Sequence, residues 1–455
     1  MLVWKNWLGL LLLSPLLVSC SSPGPVQETT LKNGLKVVVR QDHRAPVVVS
    51  QIWYRVGAID EPEGITGISH VLEHMMFKGT KKHGPGEFSR IIAEHGGREN
   101  AFTGRDYTAY FQQLEKSRLY ISFEMEADRM QNLLLDEEEV KKEVKVVMEE
   151  RRLRTEDKPQ ALTFEKFMNT AYTRHTYKQP VIGWMEDLQR ITLKDLQNWY
   201  QRWYTPANAI LVVVGDVKPT EVFALADKYF GKILSHKVNP TKIPDEPVQK
   251  EARSIIVEAP AEVPYVIFGY HTRELGEDKN SWEAYALDVL AGVLDGGNSS
   301  RFTKELIREQ QIAVSAGAGY SMVARAPTMF VFDGTPAKGH SVQELVAAID
   351  KQIQRIINEK VSQEELDRVK AGVASSDVFS RDSVFYQAMG IGQLETVGLP
   401  HRLLDDYVTR IKAITAEQVQ QVAKKYFRPE NRTLAELKPL TMKNNNKKSS
   451  GGGHG

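Results

Sequence analysis

The sequence predicts an α+β protein made of two homologous halves, each a mainly antiparallel sheet with helices packed on one side. The segment from Ile191 to Asn208 recurs from Ile414 to Asn431, with identical Ile, Thr, Gln, Pro and Asn residues at equivalent positions. A repeat unit this long indicates a duplicated domain and not a solenoid. Strand and helix patterns are mixed in both halves, and 455 residues exceed what one ordinary core accommodates.

Each copy of the repeat predicts a helix that begins at a threonine cap and ends before a proline. In the first copy this helix leads into an apolar strand at 209–216. Prolines among charged residues then predict a linker at 239–252. We therefore expect a first domain at 28–238 and a second, homologous domain at 253–440.

The beginning of the chain predicts a signal peptide at 1–19. Lys5 supplies its positive charge, and the apolar stretch from Leu8 to Val18 is too short to span a membrane. The stretch ends in Leu-Val-Ser-Cys, which resembles the bacterial lipobox, in which the cysteine receives a lipid. Cys20 is the only cysteine, so no intramolecular disulfide is possible and lipidation is its favoured role. The alternative is an ordinary secretory signal with an incidental cysteine.

Residues 20–27 are expected to form a lipidated tether. By resemblance to Gram-negative lipoproteins, Ser21 after the cysteine indicates the outer membrane, with the anchored body facing the periplasm. No apolar run of membrane-spanning length follows, so the lipid would be the only membrane contact. The low-complexity tail at 441–455 is expected to be disordered.

The composition is that of a globular protein, with 42% hydrophobic residues, 26% charged residues and a net charge of +1. This balance argues against nucleic acid as a partner, because nucleic-acid-binding proteins concentrate positive charge to neutralise phosphates. It also provides no net field that would steer charged ligands over long distances.

The segment His70-Val-Leu-Glu-His74 places two imidazoles one helical turn apart, with Glu73 beside them. Two neutral imidazoles at this spacing can hold one Zn²⁺. A nearby carboxylate that is not itself a ligand can take a proton from the metal's water. The pattern H-x-x-E-H is the signature of the inverzincins.

A catalytic zinc site needs a third protein ligand and one open position. The segment from Leu135 to Arg151 predicts a long helix with an acidic start and a basic end, as the helix dipole favours. Glu143 and Glu150 are seven residues apart and so point from the same face. These acidic residues could equally be the solvated face of a charged helix.

Taken together, His70, Glu73 and His74 followed by Glu143 and Glu150 resemble the pitrilysin/insulinase family of zinc metallopeptidases, most closely its processing-peptidase-like branch. The resemblance extends over roughly residues 28 to 438. It implies that the two histidines and Glu150 bind zinc, that Glu73 is the general base, and that Glu143 supports the site from the second shell.

Glu149 is the competing candidate for the third ligand, because it adjoins Glu150. It faces about 100° away on the helix, whereas Glu150 shares its face with Glu143, so Glu150 is favoured. Two histidines and a glutamate also accept Co²⁺ or Mn²⁺, so the residues alone leave the metal open.

A Gly-Gly turn precedes an alternating, aromatic-rich segment that ends near Phe111. The resemblance implies that this segment is an edge strand beside the zinc, to which a substrate peptide adds as a further strand. An exposed edge binds extended peptides through main-chain hydrogen bonds with little regard for their sequence. The candidate substrate-binding residues are Asn100, Ala101 and Phe102, and the alternative is an ordinary hairpin arm.

The second half lacks the metal motif, since the apolar segment 284–294 stands where the histidines would be. One zinc per chain is therefore expected. The resemblance also implies an arginine and a tyrosine seven residues apart that hold the substrate. Here Ser315 follows seven residues after Arg308, the tyrosine position aligns best with Val314, and Tyr320 is a misplaced substitute.

These features predict a zinc endopeptidase that acts on short or unfolded polypeptides in the periplasm. A homologous subunit, in a heterodimer or a homodimer, would supply the missing arginine and tyrosine. The alternatives are a non-catalytic scaffold or assembly subunit that keeps the fold, and a peptide-binding module with structural zinc. The last does not explain Glu73, because a structural site would be closed by a fourth protein ligand.

Overall fold

The computed structural model describes residues 24–278 and 281–440. The predicted signal peptide, Cys20 with the first residues of the tether, and the predicted tail at 441–455 lie outside these ranges. Within the ranges, no helix combines the length and the apolar composition needed to cross a membrane.

The first sheet has six strands, arranged in the order β1-β2-β6-β3-β5-β4. The strands are β1 (Val26–Thr30), β2 (Lys36–Gln41), β3 (Val47–Tyr54), β4 (Arg98–Thr103), β5 (Thr108–Glu115) and β6 (Ala209–Gly215). β6 pairs in parallel with β2, and the other neighbours are antiparallel. β4 is therefore an edge strand, paired on one side by β5.

The second sheet has five strands, arranged in the order β7-β11-β8-β10-β9. The strands are β7 (Arg253–Pro260), β8 (Tyr265–His271), β9 (Ala313–Tyr320), β10 (Met329–Pro336) and β11 (Arg432–Leu440). β11 pairs in parallel with β7 and antiparallel with β8, just as β6 pairs with β2 and β3. The second sheet therefore repeats the strand order of the first, except that β1 has no counterpart in it.

Helices fill the connections between the strands. In the first half they are α1 (Ile68–Met75), α2 (Glu87–Glu94), α3 (Leu119–Asn132), α4 (Glu137–Arg151), α5 (Pro159–Ala171), α6 (Met185–Leu188), α7 (Leu193–Trp203) and α8 (Pro219–Phe230). In the second half they are α9 (Trp282–Asp295), α10 (Val342–Asn358), α11 (Gln363–Asp382), α12 (Val384–Thr396), α13 (Arg402–Ala413) and α14 (Ala416–Tyr426). Two further segments, Arg152–Glu156 and Phe302–Glu309, are π-helical.

The sequence repeat corresponds to a structural repeat. α7 begins with a capping box between Thr192 and Asp195, and α14 begins with the same motif between Thr415 and Gln418. Each helix leads through a short proline-containing turn into the equivalent strand, β6 or β11. The predicted fold, two homologous α+β halves, is confirmed.

Each half also contributes one helix to the sheet of the other half. α5 packs on β7, β8 and β11, whereas α12 packs on β3 and β6. Phe167 of α5 lies in a buried cluster with Val257 and Ala435. Ile391 of α12 lies in a buried cluster with Trp53. Helices of the parent half cover one face of each sheet, and the exchanged helix covers the other face.

Candidate metal centre

α1 carries the two histidines of the motif on one face. Its opposite face is buried in the core of the first half through Ile68, Val71, Leu72 and Met75. The helix begins after Gly67, whose φ of 86° lies in the left-handed region that favours glycine. A Cβ atom at this position would also lie 2.6 Å from the carbonyl oxygen of Ile182. The histidine face is thus oriented by a tightly packed helix start.

Glu61, which sequence reasoning missed, caps the N-terminus of α1. Its buried carboxylate accepts hydrogen bonds from the backbone N–H groups of Gly67 and Ser69 at 2.7 and 2.9 Å. These N–H groups have no partner within the helix, and the helix dipole favours an anion there. Burial raises the pKa of Glu61 to about 7. Capping residues normally stand directly before a helix, whereas Glu61 lies six residues before Gly67, so the sequence carries no local signal for this cap.

The three predicted ligands lie together between α1 and α4. Nε2 of His70 and Nε2 of His74 are 3.9 and 3.5 Å from Oε2 of Glu150. One ligand atom from each residue lies within 4.8 Å of the others. A tetrahedral zinc with bonds of about 2 Å holds its ligand atoms about 3.3 Å apart, so the three residues fit zinc after small adjustments.

The hydrogen-bond geometry of His74 and the protonation state of His70 also suit a metal. Nδ1 of His74 lies 3.2 Å from Oε2 of Glu143, and a donor N–H at that nitrogen leaves Nε2 free to bind metal. Burial, together with the nearby His74, lowers the pKa of His70 to about 3, so this imidazole is neutral at pH 7. Nδ1 of His70 is buried without a hydrogen-bond partner among the described residues.

Glu143 and Glu150 each hold a cation with the oxygen that faces away from the histidines. Lys78 Nζ lies 2.5 Å from Oε1 of Glu143, and Arg154 Nη1 lies 2.5 Å from Oε1 of Glu150. Sequence reasoning missed both cations, although Arg154 stands four residues after Glu150. Glu149 is exposed and pairs with Arg152, so it does not join the histidines.

Glu73 lies beside the histidines without being one of the three grouped ligands. Its Oε2 accepts a hydrogen bond of 2.5 Å from the hydroxyl of Thr103, the last residue of β4. Burial raises the pKa of Glu73, although the hydrogen bond from Thr103 opposes this shift. A carboxylate in this environment can act as a general base.

The two histidines and Glu73 line a cavity of about 770 Å³, called the metal cavity below, and the edge strand β4 borders it. Asn100, Ala101 and Phe102 line it together with the histidines and Glu73. The N–H of Ala101 donates to the side chain of Asn100 at 2.9 Å, so a substrate strand would have to replace this bond. The ring of Phe102 packs against Trp53 at 5.4 Å.

The second half does not bring an arginine–tyrosine pair to this cavity. Arg308 lies in the π-helical segment and Val314 is exposed on β9, and neither lines the metal cavity or the adjoining one. Tyr320 lines the adjoining cavity, and its hydroxyl donates to the carbonyl oxygen of Arg273 at 2.6 Å. Tyr320 is therefore already engaged within the chain.

A second group of ligand-type side chains, Glu28, Glu395 and His401, lies where α12 meets the first sheet. Lys36 Nζ is 2.9 Å from Glu28 and 2.7 Å from Glu395. An ammonium group of the chain thus already supplies the cation for these carboxylates, and the group is not a metal candidate.

Comparison with known proteins agrees with this site. Residues 36–184 match the family model described as insulinase (peptidase family M16), and residues 190–373 match the one described as the peptidase M16 inactive domain. The zinc protease PqqE of Helicobacter pylori is 34% identical over 420 residues, which cover 91% of this chain and 93% of that protein. The chain belongs to peptidase family M16.

Solved structures show the same M16 fold. A protease from Helicobacter pylori superposes with a TM-score of 0.86 at 32% identity, covering 91% of this chain and all of that one. The periplasmic protease PqqL of Escherichia coli gives a TM-score of 0.76 at 19% identity, covering 91% of this chain but 48% of PqqL. The predicted membership of the pitrilysin/insulinase family is confirmed, and the name of the relative PqqE implies zinc as the metal.

Proposed function

We propose that this M16 protein is a zinc-dependent endopeptidase that hydrolyses short or unfolded polypeptides, with Glu73 as the general base. The observation that carries the proposal is the grouping of His70, His74 and Glu150 beside a free carboxylate and an edge strand. One zinc per chain is proposed, held by these three residues. When bound, zinc would polarise the scissile carbonyl group and make a coordinated water more acidic.

Glu73 moves the protons of the reaction. It accepts a proton from the attacking water as the new bond to the carbonyl carbon forms. It then donates that proton to the amide nitrogen as the C–N bond breaks, so that a carboxylic acid and an amine are released, and the acid proton passes to the amine at neutral pH. The hydrogen bond from Thr103 holds the carboxylate in position for both transfers.

β4 binds the main chain of the substrate. Its free edge can pair with an extended segment through backbone hydrogen bonds, which do not depend on the substrate's side chains. A cavity of about 770 Å³ accommodates a short peptide segment and excludes a folded domain. Both features favour unfolded or short polypeptides.

A homologous subunit is proposed to complete the site, in a heterodimer or a homodimer. Support comes from Arg308 and Val314, which line neither cavity, and from the engagement of Tyr320 with Arg273. The chain matches about half of PqqL, so the M16 fold also occurs in chains long enough for two such units. The missing donors would stabilise the negative oxygen of the transition state.

We also propose a location on the periplasmic side of the outer membrane, with the lipid on Cys20 as the only membrane contact. This proposal rests on the lipobox-like sequence and on Ser21. Labelling with a radioactive fatty acid, compared between the wild-type chain and Cys20→Ala, tests the lipidation of Cys20.

The test of activity uses the full-length chain in mild detergent, loaded with zinc and incubated with unstructured peptides. Mass spectrometry follows cleavage by the wild type, Glu73→Gln and the matched control Glu149→Gln. Zinc-dependent cleavage that is lost in Glu73→Gln and kept in Glu149→Gln is expected. A wild-type chain that binds zinc but cleaves nothing, alone or with a homologous partner chain, would favour the non-catalytic scaffold.

A further inference from the structure

We propose that Arg105 forms a carboxylate-binding subsite that selects peptides with an acidic group near the scissile bond. Arg105 lies in the hairpin turn between β4 and β5, two residues after Thr103, which contacts Glu73. It lines the metal cavity and also the adjoining cavity of about 440 Å³. This inference rests on the proposed peptidase function and names its preferred substrates.

The guanidinium group of Arg105 has no direct partner within the described chain, although it interacts electrostatically with the neighbouring carboxylate of Asp106. It forms no hydrogen bond or ion pair there, and its Nε is buried without a partner. The adjacent Asp106 instead accepts a hydrogen bond from the hydroxyl of Tyr177 at 2.7 Å. A partly buried, unpaired cation is costly, and an incoming anion would remove that cost.

The other cations that line the metal cavity are already paired. Arg154 lies 2.5 Å from Glu150, and Lys178 lies 2.9 Å from Glu63. Arg105 is therefore the cation at this cavity, among the described residues, that remains available to a ligand. Its planar fork suits a carboxylate, which it can bind through two parallel hydrogen bonds.

The backbone of the turn is fixed, so the position of Arg105 relative to Glu73 is defined. Ile59 N–H donates to the carbonyl oxygen of Arg105 at 2.8 Å, and Ala58 N–H donates to that of Gly104 at 3.2 Å. Gly57 permits this contact, because a Cβ atom there would lie 2.6 Å from both carbonyl oxygens.

The side chain of Arg105 faces an apolar wall supplied by α5. Its Cζ lies 5.9 Å from the ring centroid of Phe164, and Phe164 and Met168 line both cavities with it. A low-polarity wall strengthens an ion pair formed beside it. Arg105 follows the end of β4 by two residues, so the bound carboxylate would belong to a part of the substrate that extends past the end of this strand.

The carboxylate could come from an aspartate or glutamate side chain or from the C-terminus of the substrate. The experiment separates these sources with three labelled peptides of otherwise identical sequence. One has an internal glutamate and an amidated C-terminus, one has glutamine instead, and one has glutamine and a free C-terminus close to the scissile bond.

Fluorescence anisotropy measures binding to zinc-loaded Glu73→Gln, which keeps the cavity but lacks the proposed base, and mass spectrometry measures cleavage by the chain with Glu73 intact. At least one carboxylate peptide is expected to bind about tenfold more tightly than the neutral peptide and to be cleaved with a similarly higher kcat/KM. Adding Arg105→Gln should abolish this preference for the carboxylate peptide, and Arg105→Lys should retain part of the preference. Arg90→Gln, an exposed control on α2, should leave it unchanged.

Equal binding of all three peptides, or a preference that survives Arg105→Gln, would overturn the inference. If Arg105→Gln does not fold, Arg105→Lys is the deciding variant. A preference for the carboxylate peptide as large as with Arg105 present would contradict a role for the guanidinium group. Failure of the peptidase proposal looks different, because cleavage would then be absent while the carboxylate preference in binding remained.

Discussion

The hydroxyl of Thr103 donates a hydrogen bond of 2.5 Å to Oε2 of Glu73, and this bond ties the end of β4 to the candidate general base. The strand that would bind the substrate and the carboxylate that would move its protons therefore share one point of attachment. The arrangement couples the position of a peptide on the edge to the position of the base.

Thr103→Val tests this coupling, because valine keeps the shape of the side chain and removes the hydroxyl donor. We expect kcat to fall about 10- to 150-fold, since one hydrogen bond to a charged group contributes ~1.5–3 kcal/mol, while zinc content stays constant. Thr103→Ser should recover most of the activity. The control is steady-state kinetics of Thr170→Val, because this half-buried threonine on α5 donates its hydroxyl only to the backbone of Lys166. An unchanged kcat in Thr103→Val would show that the bond does not position the base.

Glu143→Gln should weaken zinc binding by about 10- to 100-fold, the usual effect of losing a second-shell partner. The carboxylate of Glu143 orients His74 through Nδ1 and is itself held by Lys78. Competition with a chelator measures the affinity. The exposed Glu149→Gln on the same helix should bind zinc like the wild type, and equal affinities of the two variants would refute the assigned role.

Gly392→Ala should destabilise the packing of α12 on the first sheet. A Cβ atom at Gly392 would lie 2.1 Å from the indole ring of Trp53, and such overpacking costs ~1–3 kcal/mol. Gly372→Ala on α11 is the matched control, because nothing lies within 4 Å of its Cβ position. Alanine at this second site should be neutral or stabilising by up to ~1 kcal/mol. Urea unfolding measures the stability of both variants. Equal midpoints for Gly392→Ala and Gly372→Ala would contradict the close contact between Gly392 and Trp53.

The folded protein is expected to lose stability in acid because of Glu395. Burial alone would raise its pKa, but hydrogen bonds from His401 and Lys36 hold the pKa at about 2, below the value of about 4.5 expected in the unfolded chain. Stability from this group is therefore complete above about pH 4.5 and is lost as the pH falls towards 2. Thermal unfolding between these pH values should show a smaller pH dependence in Glu395→Gln than in the wild type. Identical pH dependence would exclude Glu395 as a contributor.

Patterns within one segment of the sequence predicted much of the fold. The repeat at Ile191 and Ile414 predicted two equivalent helices, and these lead into the equivalent strands β6 and β11. The H-x-x-E-H spacing predicted that His70 and His74 share a face, and the seven-residue spacing predicted which glutamate of α4 faces them. Each of these follows from the geometry of a single helix.

Contacts between distant segments could not be predicted in the same way. The amphipathic pattern of α5 shows that one face is buried, but not that it is buried against the sheet of the other half. Arg325 donates to both carboxylate oxygens of Asp60, at 2.7 and 3.1 Å, across the two halves, and no local spacing signals that pair. Glu61 likewise caps α1 from a loop, where its spacing from the helix follows no regular period.

The most direct test of the proposed function measures zinc content and peptide cleavage on the same samples of wild-type chain and Glu73→Gln, each supplied with a homologous partner chain if the wild type requires one. We predict one zinc per chain in both and a kcat that is about 10²- to 10⁴-fold lower in the variant, as expected for loss of a general base. Cleavage by Glu73→Gln at the wild-type rate, or a wild-type chain that binds no zinc, would contradict zinc-dependent catalysis with Glu73 as the general base.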